Sequence, residues 1–320
     1  MDVLTHAFLG AAAAQSATGK ALGKKSVWVG AIAGTLPDLD ILIHSSQDPT
    51  LFLIYHRNFT HALAFIILGG LIAGLISLIL FKNLRQKWRY VFLATIVAYA
   101  THGLLDTATS YGTMLLWPFS DRRIAWDLIA IVDPLFTLIL IIGVIVAYQW
   151  QSRWPALIAI GCCLLYLGFA GFQHNRALTV QQQLAEERNQ VITKGRAMPK
   201  LGHVFGYHSV YISGNRVYLD EIATPLFSSA YAISGISVSL FCEQCMSATL
   251  VRNETLFHDF TVYAWFTDGY MTALSQRPLV VGDLRYVKTL TPLKTLWAIE
   301  FPLNNPRRKH VYWHSLFEGS

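Results

Sequence analysis

The stretch HRNFTHALAFIILGGLIAGLISLILF, His56 to Phe81, sets two histidines, an arginine and an asparagine at the mouth of a long apolar run. Residues 62–81 carry no charge. At ~1.5 Å per residue, such a run is long enough to cross a hydrocarbon core of ~30 Å. Ionisable groups at the edge of such a segment are costly to desolvate and are functional by default.

Comparable apolar runs at 60–81, 90–108, 128–149 and 154–172 predict four full membrane helices. Shorter runs at 3–18 and 26–36 predict two helices packed against the bundle or partly re-entrant. Hydrophobic residues make up 53% of the 320 and charged ones 14%, with a mean hydropathy of +0.41. Soluble domains carry roughly 25% charge, so the deficit points to a membrane protein. The apolar excess ends near Phe172. Residues 173–201, with TVQQQLAEERNQVI, read as an amphipathic helix or linker. Beyond Gly202, HVFGYHSVYISGNRVYL, FTVYAWFTDGYM and PLKTLWAIEF read as strands, with Ser213-Gly214-Asn215 and Thr267-Asp268-Gly269 as hairpin turns. The expected fold is mainly α: a polytopic transmembrane bundle over 1–172, a linker over 173–201 and a small β-rich soluble domain over 202–320.

The net charge is +6, but its placement is more informative than its sum. Lys20, Lys24 and Lys25 lie between the two short runs, Lys82, Arg85, Lys87 and Arg89 between two long ones, and Arg153 at a third turn. Under the positive-inside rule these turns are cytoplasmic, which puts the C-terminal domain outside. No basic stripe with interleaved aromatics appears, which argues against nucleic acid. The opening MDVLTHAFLGAAAAQSA has the small residues of a signal peptide, yet Asp2 stands where a basic n-region belongs. The segment is expected to stay in the mature fold. Cys162 and Cys163 read as packing residues; Cys242 and Cys245 form a C-x-x-C, read first as a local disulfide, then as unpaired thiols or a metal ligand pair. P-loop, dinucleotide and G-x-S-x-G signatures are absent from the sequence.

The N-terminal half holds His6, Asp38, Asp40, His56, His61, His102, Asp106 and Asp133. His6 opens the first helix, Asp38 and Asp40 follow the second, His61 opens the third, and His102 and Asp106 end the fourth. On helices of alternating direction, these residues collect at one end, the extracytoplasmic one. His102 and Asp106, four residues apart, share a helix face. A mixed His and carboxylate set suits a divalent metal, zinc first. More than four candidates suggest two ions bridged by a carboxylate, an arrangement used in phosphoester cleavage. Either Asp38 or Asp40 can be the ligand, their side chains projecting alike from an extended segment, and the other the general base. His56 is a ligand, a neighbour of one, or a surface residue. Asp133, before Pro134, reads as a helix cap or a partner behind the ligands. Within TSYGTMLLWPFSDRRIAWD, Arg122 and Arg123 can hold an anionic substrate group at the reacting centre, as can Arg57. The plainer alternative is contact with lipid headgroups, Asp121 or Asp127. His203, His208, His258, His310 and His314 read as strand or surface residues.

MDVLTHAFLGAA, AGTLPDLDIL, HRNFTHAL, HGLLDTATSYGT and LLWPFSDRR, covering roughly residues 1–135, together resemble the membrane-bound metal-dependent hydrolase family often called YdjM-like. WFTDGYMTALSQRPLVVGDLRY and LWAIEFPLNNPRRKHVYW resemble the tail of its longer members. The resemblance implies a bacterial inner-membrane protein and a metal-dependent hydrolase. More remotely, the motifs resemble the helical zinc phospholipase C and nuclease superfamily, which cuts phosphoesters. That likeness implies His6, Asp38 or Asp40, His61, His102 and Asp106 as zinc ligands. The superfamily's further His and Glu ligands have no counterpart here, and Asn58 stands where HRGxTH has glycine. The expected activity is hydrolysis of a phosphoester on a lipid or lipid-linked substrate at the outer membrane face. A transporter or metal-binding membrane protein, or a membrane-anchored scaffold, are the alternatives.

Overall fold

Asp2 accepts a hydrogen bond from Thr5 N and starts helix α1 (Val3–Leu22), which stops at Gly23 with φ 58°. Helix α2 (Lys25–Thr35) packs on α1 through glycines: a Cβ on Gly10 would stand 2.4 Å from Gly30 O, and one on Gly30 2.3 Å from Gly10 O. Backbone-to-backbone contact of this kind is how helices associate without large side chains between them. After α2 the chain tightens into a 3₁₀ turn, Leu36–Leu42. The computed structural model describes residues 1–303, 305 and 308–318, with the backbone alone for Ser234, Thr249 and 316–318.

The short helix α3 (Thr50–Tyr55) follows, then α4 (Ile66–Leu80), α5 (Trp88–Thr107), α6 (Pro134–Trp150) and α7 (Trp154–Glu187). Asp133 caps α6, accepting from Phe136 N and from the Tyr166 hydroxyl. Two segments, Leu63–Leu80 and Trp154–Glu187, are long and apolar enough to cross a membrane. Helix α6 is apolar but has 17 residues, and α5 has 20 residues but carries Arg89, His102 and Asp106. By length and hydropathy, two of the four expected spans therefore qualify. Helix α4 is apolar in an inverted sense. It buries Gly69, Gly70, Ala73, Gly74 and Ser77 and exposes Ile67, Leu68, Leu75 and Ile79. Small residues inside and large aliphatics outside suit a lipid-facing helix.

The chain divides into two compact units. The helical one comprises Met1–Leu42, His56–Gln173 and Pro199–Val204, and its core joins α1, α6 and α7 around Phe136, Leu140, Val144 and Ala170. The other comprises Ile43–Tyr55, His174–Met198 and Phe205 onward. No helix boundary falls near Phe172: α7 continues to Glu187, because Ala177, Val180 and Leu184 keep an apolar face at helical spacing against Tyr207 and Ile222.

In this second unit, strands β1 (Lys194–Pro199), β2 (Gly206–Ser213), β3 (Arg216–Ala223) and β4 (Tyr231–Ser239) form one sheet in sequence order. The expected turn at Gly214-Asn215 joins β2 and β3, with Gly214 at φ 56°. Helices α8 (Ala248–Val251) and α9 (Glu254–Phe266) come next. They precede β5 (Met271–Gln276), β6 (Leu279–Asp283), β7 (Val287–Thr289), β8 (Lys294–Glu300) and β9 (Tyr312–Glu318), which form the second sheet. The strand expected in FTVYAWFTDGYM is instead the end of α9. Asn253 caps that helix, and Leu256, Phe260 and Tyr263 bury one face at spacings of four and three. Its aromatics hid the 3.6-residue period behind strand-like composition. Thr267-Asp268-Gly269 is accordingly a helix stop and no hairpin, with Gly269 at φ 76° bonding back to Ala264 O. Cys242 and Cys245 are free thiols with Sγ atoms 3.2 Å apart.

Candidate metal centre

Asp38 comes from the 3₁₀ turn after α2, His61 from the turn before α4, and His102 and Asp106 from the last turns of α5. One donor atom from each lies within 4.8 Å of the others. His61 Nε2 is 2.9 Å from His102 Nε2, 3.2 Å from Asp106 Oδ2 and 3.7 Å from Asp38 Oδ1. His102 Nε2 is 3.4 Å from Asp38 Oδ1 and 3.7 Å from Asp106 Oδ2. A tetrahedron with bonds of ~2.05 Å has edges of ~3.3–3.4 Å, and these five distances bracket that value. The side chains of His61, His102 and Asp106 are 0% exposed and that of Asp38 is 16% exposed, so the group opens at Asp38.

The hydrogen-bond partners fix which ring nitrogens carry hydrogen. His102 Nδ1 lies 2.6 Å from Gly34 O, an acceptor, so Nδ1–H donates there. His61 Nδ1 lies 3.2 Å from Asp40 Oδ2. In the neutral rings, both Nε2 lone pairs then face one another, an arrangement that requires a cation or a proton between them. Among the described residues Asp38 Oδ2 is buried without a hydrogen bond, which is costly for an ionised carboxylate. Four converging donors of the type that binds zinc or manganese, two of them anionic, fit a divalent ion.

Asp38 and Asp40 do not project alike, because they sit in a 3₁₀ turn and not in an extended segment. At three residues per turn, positions two apart diverge. Asp40 faces the far side of His61. It accepts from Arg57 N at 2.8 Å and Thr60 Oγ1 at 3.1 Å, and its other oxygen is 2.9 Å from His56 Nδ1. A carboxylate behind a ligating imidazole holds the ring in place and raises its basicity. Burial pushes the Asp40 carboxyl up, but hydrogen bonds from His56 and His61 outweigh it and keep it below the ordinary carboxylate range. Hydrogen bonds from His102 and His61 likewise overcome burial at Asp38. Gly103 lets the His61 backbone approach α5, since a Cβ there would stand 2.2 Å from His61 O.

His6 meets the opposite oxygen of Asp106, with Nε2 3.0 Å from Oδ1, and its ring stacks on His102 at 3.7 Å. The Met1 amino group pairs with the same oxygen. Arg57 places Nε 3.2 Å from Asp106 Oδ2 and donates to Thr109 Oγ1. Arg57 and Arg123 both lie over the Tyr111 ring, at 4.8 and 5.1 Å. Arg122 is exposed, and its backbone N–H donates to Ser120 Oγ. Tyr111, Thr109, Gly34 and Gly103 were not singled out by sequence. Tyr111 and Thr109 lie inside TATSYGT, and no spacing in the sequence links either to Arg57, which they meet only through the fold.

Over 193 residues the chain is 23% identical to the uncharacterized protein YfhP of Bacillus subtilis (strain 168), covering 58% of each chain. The chain therefore spans less than two thirds of YfhP. Over 134 residues it is 29% identical to the inner membrane protein YbcI of Escherichia coli (strain K12), covering 40% of this chain and 75% of that one. No solved structure matches the chain. The sequence pattern of the YdjM inner membrane protein family matches residues 1–177, more than half of the 320, and the chain belongs to that family.

Proposed function

We propose that the protein is a metal-dependent hydrolase that cleaves a phosphoester of a lipid or lipid-linked substrate at the outer face of the membrane. The observation that carries this reading is the tetrahedral spacing of Asp38, His61, His102 and Asp106 around facing imidazole lone pairs. Asp38, His61, His102 and Asp106 would hold a divalent ion there, which would supply a water of lowered pKa and polarise the phosphoryl oxygen. Arg57 and Arg123, gathered on Tyr111 beside Asp106, orient the anionic group. Asp40, with its oxygens engaged, orients His61. Asp106 turns one oxygen to His61 and His102 and the other to His6, so it would be the carboxylate shared if a second ion were held beside His6. The exposed aliphatics of α4 favour a lipid substrate over a free metabolite.

We place α4, α5, α6 and α7 across the membrane, with α1 and α2 packed beside them and the C-terminal domain outside. The basic turns at Lys24, Lys82–Arg89 and Arg153 support that orientation. The test is metal analysis of the purified, detergent-solubilised protein alongside release of phosphate or headgroup from phospholipid and lipid-phosphate vesicles. His61→Ala and His102→Ala are each expected to lose the metal of this centre and turnover, and His203→Ala neither. Full metal occupancy in all three variants would sink the reading.

A further inference from the structure

A second convergence of metal-type donors lies in the C-terminal unit, among residues whose sequence spacing gave no sign of it. His310 Nδ1 stands 3.0 and 3.2 Å from the two oxygens of Asp259 and 3.6 Å from Asp48 Oδ1. One donor atom from each lies within 4.8 Å of the others. The three arrive from distant parts of the chain: the segment before α3, helix α9, and the segment before β9.

The Asp259 side chain is 0% exposed, whereas those of Asp48 and His310 are 28% and 23% exposed. The group is thus closed beneath and open above, as a site with free coordination positions is. Asp259 also accepts from Val311 N, at 2.9 Å. Among the described residues no lysine or arginine forms an ion pair with either carboxylate. Arg308, the nearest guanidinium in sequence, donates to Ser46 O, His310 O and Val311 O, all main-chain carbonyls. Among the described residues, then, His310 is the basic side chain that meets the two carboxylates, and a cation would offset their negative charge. Asp48 Oδ1 accepts from Thr50 N and Oγ1, at 2.9 and 2.6 Å. A carboxylate has about four lone-pair sites, so this contact leaves room for ligation.

We infer that Asp48, Asp259 and His310 form a second divalent-cation site, separate from the His61 cluster, that takes Mn²⁺ or Zn²⁺ through one imidazole and two carboxylates. The ion fastens the segment Ile43–Tyr55, which runs in sequence from the turn bearing Asp40 to His56, onto α9. The competing arrangement is a protonated His310 shared between two aspartates, which binds no metal.

The test uses the full chain in detergent, stripped with chelator, reloaded with Zn²⁺ or Mn²⁺, freed of unbound ion and counted by elemental analysis. His310→Gln and Asp48→Asn are each expected to lose one equivalent per chain relative to wild type. The exposed His258→Gln should lose none, and His61→Ala should keep the equivalent that His310→Gln loses. Because the two losses are read separately, this site and the hydrolase centre stand or fall independently. As a check on folded protein, Zn²⁺ or Mn²⁺ should raise the melting temperature of the His61→Ala/His102→Ala variant. Adding His310→Gln should abolish that rise. Equal metal counts in wild type, His310→Gln and Asp48→Asn, or no rise in the double variant, overturns the site.

Discussion

Replacing Asp40 and Asp38 separately by asparagine distinguishes a residue that orients a ligand from one that binds metal. Asparagine keeps the shape of aspartate and removes its charge. At position 40 its single carbonyl oxygen can still accept from Arg57 N and Thr60 Oγ1, which hold the turn, leaving the amide to face His56. What is lost is the negative charge 3.2 Å from His61 Nδ1. Loss of such a partner weakens metal binding by ~10–100-fold, or ~1.4–2.7 kcal/mol. Asp40→Asn should therefore still fill at high metal concentration but yield its ion to a competing chelator at lower chelator levels than wild type. Asp38→Asn removes an anionic donor 3.4 Å from His102 Nε2 and should not retain this centre's metal through desalting. The assay is titration against a chromophoric chelator, with elemental analysis of the desalted protein. If Asp40→Asn empties the centre while Asp38→Asn binds like wild type, the roles drawn from these distances are reversed.

Gly103→Ala would set a Cβ 2.2 Å from His61 O. The backbone must shift, so a loss of ~1–3 kcal/mol in stability is expected together with weaker metal binding; an unchanged melting curve and metal count would refute it. In the C-terminal unit, Arg188 grips both oxygens of Asp220, whose side chain is 1% exposed. Arg188→Ala should cost ~1.5–3 kcal/mol in denaturant unfolding, and Arg188→Lys should recover only part of it. Metal retention should fall as pH drops, because protons compete for the imidazole nitrogens. A dialysis series that shows tighter binding in acid would contradict imidazole ligation. A membrane-impermeant maleimide should label Cys242 and Cys245 in intact spheroplasts, and labelling confined to lysed cells would invert the orientation.

The helix-borne part of the centre was legible because desolvation makes ionisable side chains scarce near apolar runs. His61 beside residues 62–81, and His102 and Asp106 one turn apart on α5, stand out for that reason. The split between Asp38 and Asp40 was not legible, since TLPDLDIL reads equally as an extended segment or a 3₁₀ turn. Only the tertiary hydrogen bonds of Asp40 decide which. Helix α9 was misread for a related reason: aromatic and β-branched residues favour strands, and packing of Leu256, Phe260 and Tyr263 overrides that preference. The triad at Asp48, Asp259 and His310 had no sequence signature at all, because its members meet only through the tertiary fold.

The turn HRNFTH is strained at Arg57, and its surroundings show how it is held. Arg57 has φ 61°, a conformation costly for a long side chain. Its N–H donates to Asp40, and its carbonyl accepts from Met114 N at 3.0 Å. His61 N donates to Asn58 O, Leu63 N to Leu115 O, and Tyr99 Oη to Thr60 O. Irregular backbone persists where protein satisfies its polar groups, and here α5 and the 109–117 segment do so. The strained residue carries the guanidinium that reaches Asp106, and the turn it permits carries His61. Glycine at position 57 would adopt this conformation at lower cost, and the arginine adds the guanidinium that stands 3.2 Å from Asp106 at the mouth of the candidate centre.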